Sequence, residues 1–207
     1  MESSNQLVCV VDDDAGIREA LSSLLRAHGK SVLSFDSGKE FLESVQWDAL
    51  ACLVLDMRMP GMNGLEVQEQ VTDNSHASIV FITGRNDVPS TVRAMKSGAV
   101  DFLTKPISEN ALIRAVDTAI ARTQTQRQNA AESAGLRALY ETLTPREQEL
   151  LPLLAAGMLN KQAADVMGIT EITVKVHRGH IMRKMQASSF AALVRQAGQL
   201  ELEAPST

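Results

Sequence analysis

Leu53-Val54-Leu55-Asp56-Met57-Arg58-Met59-Pro60-Gly61 sets a carboxylate directly after a short apolar run and just before a Pro-Gly turn. Such a run reads as a buried strand, and an acidic residue where it ends is delivered to the strand's carboxyl edge. Val10-Val11-Asp12-Asp13-Asp14 repeats the arrangement, and Thr83 and Lys105 each follow a further apolar run at roughly regular spacing. In a parallel sheet all these runs end at one edge, so the four polar sites converge there. Clustered carboxylates repel one another and require a cation, while a lysine and a hydroxyl beside them suit a transferred phosphoryl group.

Outward from that stretch, β-rich runs at about 7–12, 31–35, 52–56, 78–82 and 100–104 alternate with segments of helical period. Ile17, Leu21, Leu24 and Leu25 form one apolar stripe, and Leu112, Ile113, Val116 and Ile120 form another. Strand and helix alternating five times predict an α/β domain with a doubly wound, five-stranded parallel sheet. Residues 122–143 are rich in Gln, Ala, Thr and Arg with weak apolar spacing, which predicts an extended last helix running into a linker. Thr144-Pro145-Arg146-Glu147 then supplies an N-cap hydroxyl, proline at the first helical position and glutamate at N3, a capping box. That helix should stop near Gly157, a second should run from about Lys161 to Met167 and end at Gly168, and Thr170 should cap a third reaching about Met185. Two helices split by a tight glycine-containing turn are a helix-turn-helix. The expected organisation is therefore a domain over 1–121, a helical linker over 122–143 and an all-α domain over 144–207.

Charge supports the division. Residues 1–121 carry a net −7 and residues 122–207 a net +2, within a total of −5. An acidic front and a mildly basic back fit a cation-binding regulator joined to a nucleic-acid reader. The opening six residues lack a positive region leading into an apolar core, and no apolar run approaches the length of a membrane span, so a cytoplasmic protein is expected. Cys9 and Cys52 form no metal-spacing motif. Each lies four residues before a site aspartate, which could bring the thiols near each other on adjacent strands; we read both as small buried hydrophobes, with a redox switch as the alternative.

On these motifs the first 121 residues resemble the receiver domain of two-component response regulators, and the last 64 or so resemble a LuxR-type helix-turn-helix. Met57-Arg58-Met59-Pro60-Gly61-Met62 and Ala94-Met95-Lys96-Ser97-Gly98-Ala99-Val100-Asp101-Phe102 point to the FixJ-like members of the NarL/FixJ class. The resemblance implies a flavodoxin-like strand order 2-1-3-4-5. It also implies that Asp56 is the phosphoacceptor, that Asp13 and Asp56 ligate Mg²⁺ directly with Asp12 acting through water, and that the backbone carbonyl of Arg58 completes the protein ligands. Lys105 would pair with the phosphoryl oxygens, and Thr83 and the Gly84 N–H would donate to them. Receivers of this kind hold the Lys105-Pro106 bond cis. Asp14 is read as no more than the cap of the following helix. Thr83 and Phe102 occupy the switch positions, and Phe102 offers a ring without a hydroxyl, so that any switch there works through packing.

At 100° per residue, the segment from Thr173 to Met185 turns Val174, His177, Ile181 and Met185 inward and Lys175, Val176, Gly179 and Arg183 outward. Resemblance places Lys175 and Val176 near base edges, where lysine addresses guanine and valine a thymine methyl. Gly179 is disfavoured inside a helix but permits close approach to DNA. Arg178, Lys184 and Lys161 are expected at phosphates, and His177 as a packed residue.

The resemblance implies a transcription regulator, favours activation, and implies a sensor histidine kinase, promoter DNA and RNA polymerase as partners. FixJ-like receivers dimerise through the fourth helix and fifth strand, a face that here includes Val92, Lys96 and Asp101. No membrane partner and no classical enzyme activity is expected beyond the receiver's own phosphoryl transfer and hydrolysis. An aspartate-nucleophile phosphohydrolase is a rival, but it would need a general acid two residues after the nucleophile, where Arg58 stands. A phosphorylation-independent DNA binder is a third reading, opposed by the intact Asp13, Asp56, Thr83 and Lys105.

Overall fold

Val8 and Val10 pack into one hydrophobic core and Cys9 and Val11 into another, and Cys52 and Val54 alternate with Leu53 and Leu55 in the same way. A strand that buries both faces reads as a continuous apolar run, which is why these segments lack a polar alternation. The computed structural model describes residues 6–84 and 88–202; residues 1–5, read above for a targeting signal, lie outside them. It divides into two units, Met1–Arg127 and Gln128–Thr207.

In the first unit five strands, β1 (Leu7–Val11), β2 (Ser31–Phe35), β3 (Leu50–Asp56), β4 (Ser78–Thr83) and β5 (Asp101–Thr104), form one sheet in the order β2-β1-β3-β4-β5. Every pair is parallel. Helices α1 (Ala15–Ala27), α2 (Gly38–Ser44), α3 (Gly64–Asn74), α4 (Val88–Lys96) and α5 (Glu109–Glu141) alternate with the strands. Leu21 and Leu25 of α1 join Leu112, Val116 and Ile120 of α5 over one face, while Phe41, Val67, Val71 and Ala94 from α2, α3 and α4 cover the other. The doubly wound fold and strand order agree with the expectation.

Cys9 and Cys52 are both buried and free, but they belong to opposite faces of the sheet. Register explains this: Cys9 pairs with Leu53 and Cys52 with Val8, so the thiols alternate across the pleat. Burial pushes the Cys9 thiol up to about 12 and raises that of Cys52 further. Both are inert fillers, and the structure gives no support to a redox pair.

The long helix α5 continues past residue 121. Thr123 is buried; its hydroxyl donates to the Ala51 carbonyl at 2.7 Å and accepts the Ser78 N–H at 2.9 Å. Arg127 donates to the Leu50 carbonyl at 2.7 Å. These bonds tie α5 to the amino ends of β3 and β4, so the first unit runs to Arg127.

The second unit holds α6 (Pro145–Ala155), α7 (Asn160–Met167), α8 (Glu171–Lys184) and α9 (Phe190–Gln199). The capping box is formed: Thr144 Oγ1 accepts the Glu147 N–H, and Glu147 accepts the Thr144 N–H. Gly168 ends α7 at φ +65°, a left-handed turn that favours glycine. Leu150, Leu151, Leu154, Ala163, Val174, Ile181, Met185 and Leu193 make its core. Helix α9, capped by Ser189, was not anticipated; it closes that core with Leu193 and Ala197.

Candidate functional site

The carboxyl edge of the sheet carries the site. Asp12 follows β1, Asp56 and Thr83 end β3 and β4, and Lys105 follows β5. Asp12, Asp56 and Thr83 are buried and Asp13 is exposed. Together with Arg58, Gly84 and Lys105 they line a cavity of about 320 Å³. The Lys105 ammonium bridges the two buried carboxylates, 2.8 Å from Asp12 Oδ2 and 2.7 Å from Asp56 Oδ1. Arg58 N–H donates to Asp56 Oδ2 at 2.6 Å, which fixes the orientation of the carboxylate. The Lys105-Pro106 bond is cis.

Electrostatics follow from burial. Desolvation pushes the Asp56 carboxyl above the ordinary carboxylate value, aided by Asp12, against the pull of Lys105 and the Arg58 N–H. Burial works to lower the Lys105 ammonium, but Asp12 and Asp56 outweigh it and leave the group raised. The site thus concentrates carboxylate charge that one lysine only partly offsets.

Arg18, Gly64 and Met95 escaped the sequence reading. Arg18 donates to the Asp12 carbonyl at 2.7 Å, anchoring the turn after β1. Asp14 accepts from the Gly16 and Ile17 N–H groups, so it caps α1 as read. Gly64 opens α3 so close to Asp56 that a Cβ there would lie 2.7 Å from the Asp56 carbonyl and 2.9 Å from the Phe81 ring. Met95 joins Val92 as an exposed apolar side chain on α4, near exposed Lys96; Asp101 is exposed at the start of β5. Of these only Gly64 had a sequence signal, as the first helical residue after a capping Asn63. Phe102 is half-buried, packed at the margin of the core.

On α8, Val174, Ile181 and Met185 are buried, His177 is half-buried, and Lys175, Val176, Gly179 and Arg183 are exposed. Val176 is 51% exposed, an apolar side chain facing water on a helix whose inner face is already filled. Lys161 is exposed at the start of α7. Lys184 and Arg178 are half-buried. Lys184 lies 2.6 Å from Glu147, a carboxylate that is 2% exposed, and Arg178 stacks over Phe190 at 4.1 Å from the ring centroid. Both cations have a partner within the unit and remain partly exposed. Among the described residues Lys175 has only an exposed i,i+4 pairing with Glu171 at 3.7 Å, which costs little to break.

Comparison with known proteins agrees with both halves. The family described as "Response regulator receiver domain" matches residues 8–117, and "Bacterial regulatory proteins, luxR family" matches residues 141–197. The chain is 46% identical over 206 residues to "Nodulation protein W" of Bradyrhizobium diazoefficiens, covering 99% of this chain and 91% of that protein. Among solved structures, the response regulator StyR matches with TM-score 0.80 and 47% identity over 94% of this chain and 98% of that one. Full-length FixJ from B. japonicum matches with TM-score 0.57 and 35% identity, over 96% and 98%.

Proposed function

The chain belongs to the NarL/FixJ class of DNA-binding two-component response regulators, and from that premise we propose that Asp56 accepts a phosphoryl group from the phosphohistidine of a sensor histidine kinase. The observation that carries this is the pair of contacts on its carboxylate: Arg58 N–H holds Oδ2 while Lys105 holds Oδ1. An Asp56 oxygen attacks phosphorus, the new O–P bond forms, and the P–N bond to the kinase imidazole breaks. Lys105 is placed to pair with the phosphoryl oxygens, and Thr83 and the Gly84 N–H to receive one of them.

The oxygen-rich donor set fits Mg²⁺. Asp12, Asp13, Asp56 and the Arg58 carbonyl would hold it, and both buried carboxylates lack full charge compensation from Lys105. When bound, the ion neutralises charge on the phosphoryl oxygens and the surrounding carboxylates.

Phosphorylation drives dimerisation through the face of α4 and β5, where Val92 and Met95 supply apolar area and Lys96 and Asp101 supply opposite charges for a two-fold contact. Two α8 helices then read two half-sites of promoter DNA in the cytoplasm, with Lys175 and Val176 at base edges, Gly179 allowing close approach and Arg183 and Lys161 at phosphates. The result is activation of transcription through RNA polymerase. Among the described residues no helix is long and apolar enough to cross a membrane.

With Mg²⁺ and a small acyl-phosphate donor, one acid-labile phosphoryl group is expected on wild type and none on Asp56→Asn. Equal labelling of the variant, or full labelling in excess chelator, overturns the assignment.

A further inference from the structure

Glu147 uses one carboxylate oxygen completely and leaves the other. Its Oε2 accepts the Thr144 N–H at 2.8 Å and the Lys184 ammonium at 2.6 Å. Its Oε1 faces His180 Nδ1 at 3.5 Å, too far for a good hydrogen bond. His177 lies one helical turn before His180 on α8, and its Nδ1 is buried without a hydrogen-bond partner. One donor atom from each of Glu147, His177 and His180 falls within 4.8 Å of the others. Two imidazoles and a carboxylate gathered at that spacing need only small side-chain rotations to surround a single ion.

We propose that Glu147, His177 and His180 form a site for a divalent transition-metal ion of the Zn²⁺ kind, which clips the recognition helix α8 to α6. The donor set selects the ion: two nitrogens and one oxygen suit Zn²⁺, Co²⁺ or Ni²⁺, whereas Mg²⁺ and Ca²⁺ prefer oxygen alone. Three protein ligands leave a fourth position to water, and His180, half in solvent, provides the entry. Lys184 is the competing cation. Because it binds Oε2 and is partly exposed, its flexible stem can turn the ammonium toward water while Oε1 takes the ion. The site is separate from the phosphoacceptor edge and does not depend on the function proposed for it.

Co²⁺ is the probe, added to the full chain in excess Mg²⁺ so that all-oxygen sites are occupied. One equivalent should give the intense visible bands of tetrahedral cobalt, and Zn²⁺ should bleach them and raise the unfolding temperature of the helical unit. His180→Ala, a change at a half-exposed position, should lose the bands, weaken Zn²⁺ at least about tenfold and remove the thermal shift. His180→Cys should regain them with an added sulfur-to-cobalt charge-transfer band, which only direct ligation produces. Absence of tetrahedral bands in the wild type, or their survival in His180→Ala, overturns the proposal.

Discussion

Gly64 stands where the backbone of α3 meets the end of β3, and no larger residue fits without moving Asp56 or its neighbours. Because the atoms in the way are the Asp56 carbonyl, the Met57 Cα at 3.1 Å and the Phe81 ring, relief must come largely from backbone. Gly64→Ala should therefore cost about 1–3 kcal/mol and slow phosphoryl uptake, read by denaturant unfolding and by the initial rate of labelling. At Asp56 the expected sign is opposite. Its carboxyl is raised by burial, so ionisation opposes folding, and the stability it withholds returns as pH falls through that raised value toward the ordinary 3.8. In chelator at neutral pH, Asp56→Asn should stabilise the receiver, by on the order of 1 kcal/mol or a few degrees in Tm. Added Mg²⁺ should then stabilise wild type more than the variant, and a lower Tm for the variant in chelator would contradict this account.

Helices α6 and α8 of the second unit are joined by one buried carboxylate. Glu147 closes the capping box of α6 and pairs with Lys184 at the far end of α8, two jobs that local sequence reading separates. Burial works to raise the Glu147 carboxyl, but Lys184 and the Thr144 N–H outweigh it and hold the group below its ordinary value of 4.5. A depressed carboxylate contributes stability that is fully present above about pH 4.5 and is lost as pH falls through the folded value. The unfolding temperature of the helical unit should accordingly fall in that window. Glu147→Gln should cost about 2–3 kcal/mol at neutral pH, by leaving Lys184 unpaired, and should flatten the acid limb. An unchanged acid limb in the variant would assign it to other carboxylates.

For the whole molecule, an acidic receiver and a mildly basic reader should make a single copy a weak, salt-sensitive DNA binder. Pairing two copies converts the second half-site contact into an intramolecular one. Phosphorylation should therefore raise affinity for a two-half-site operator far more than for a single half-site. Val92, 45% exposed on α4, is the residue to test. Val92→Asp should place charge in the pairing face, keep phosphoryl uptake and erase the two-site advantage. Sedimentation that shows a phosphorylated monomer while operator affinity still rises would replace the dimer mechanism with release of an inhibitory contact.

The alternation of apolar runs with helical stripes was sufficient to determine the five-stranded parallel sheet and the convergence of Asp12, Asp56, Thr83 and Lys105, because side-chain period and strand ends are local properties. Helix starts at Thr144 and Thr170 were equally legible, since a cap and its N–H lie within three residues of each other. Tertiary structure alone decided which cations on α8 gain a partner from another helix. Lys184 meets Glu147 across 37 residues and Arg178 meets Phe190 on α9, while Lys175, Val176 and Arg183 stay exposed. It also decided the glycine at position 64, the extension of the receiver to Arg127, and the meeting of His177 and His180 with Glu147. Each depends on how one element packs against another, and contacts of that kind leave no period in the chain.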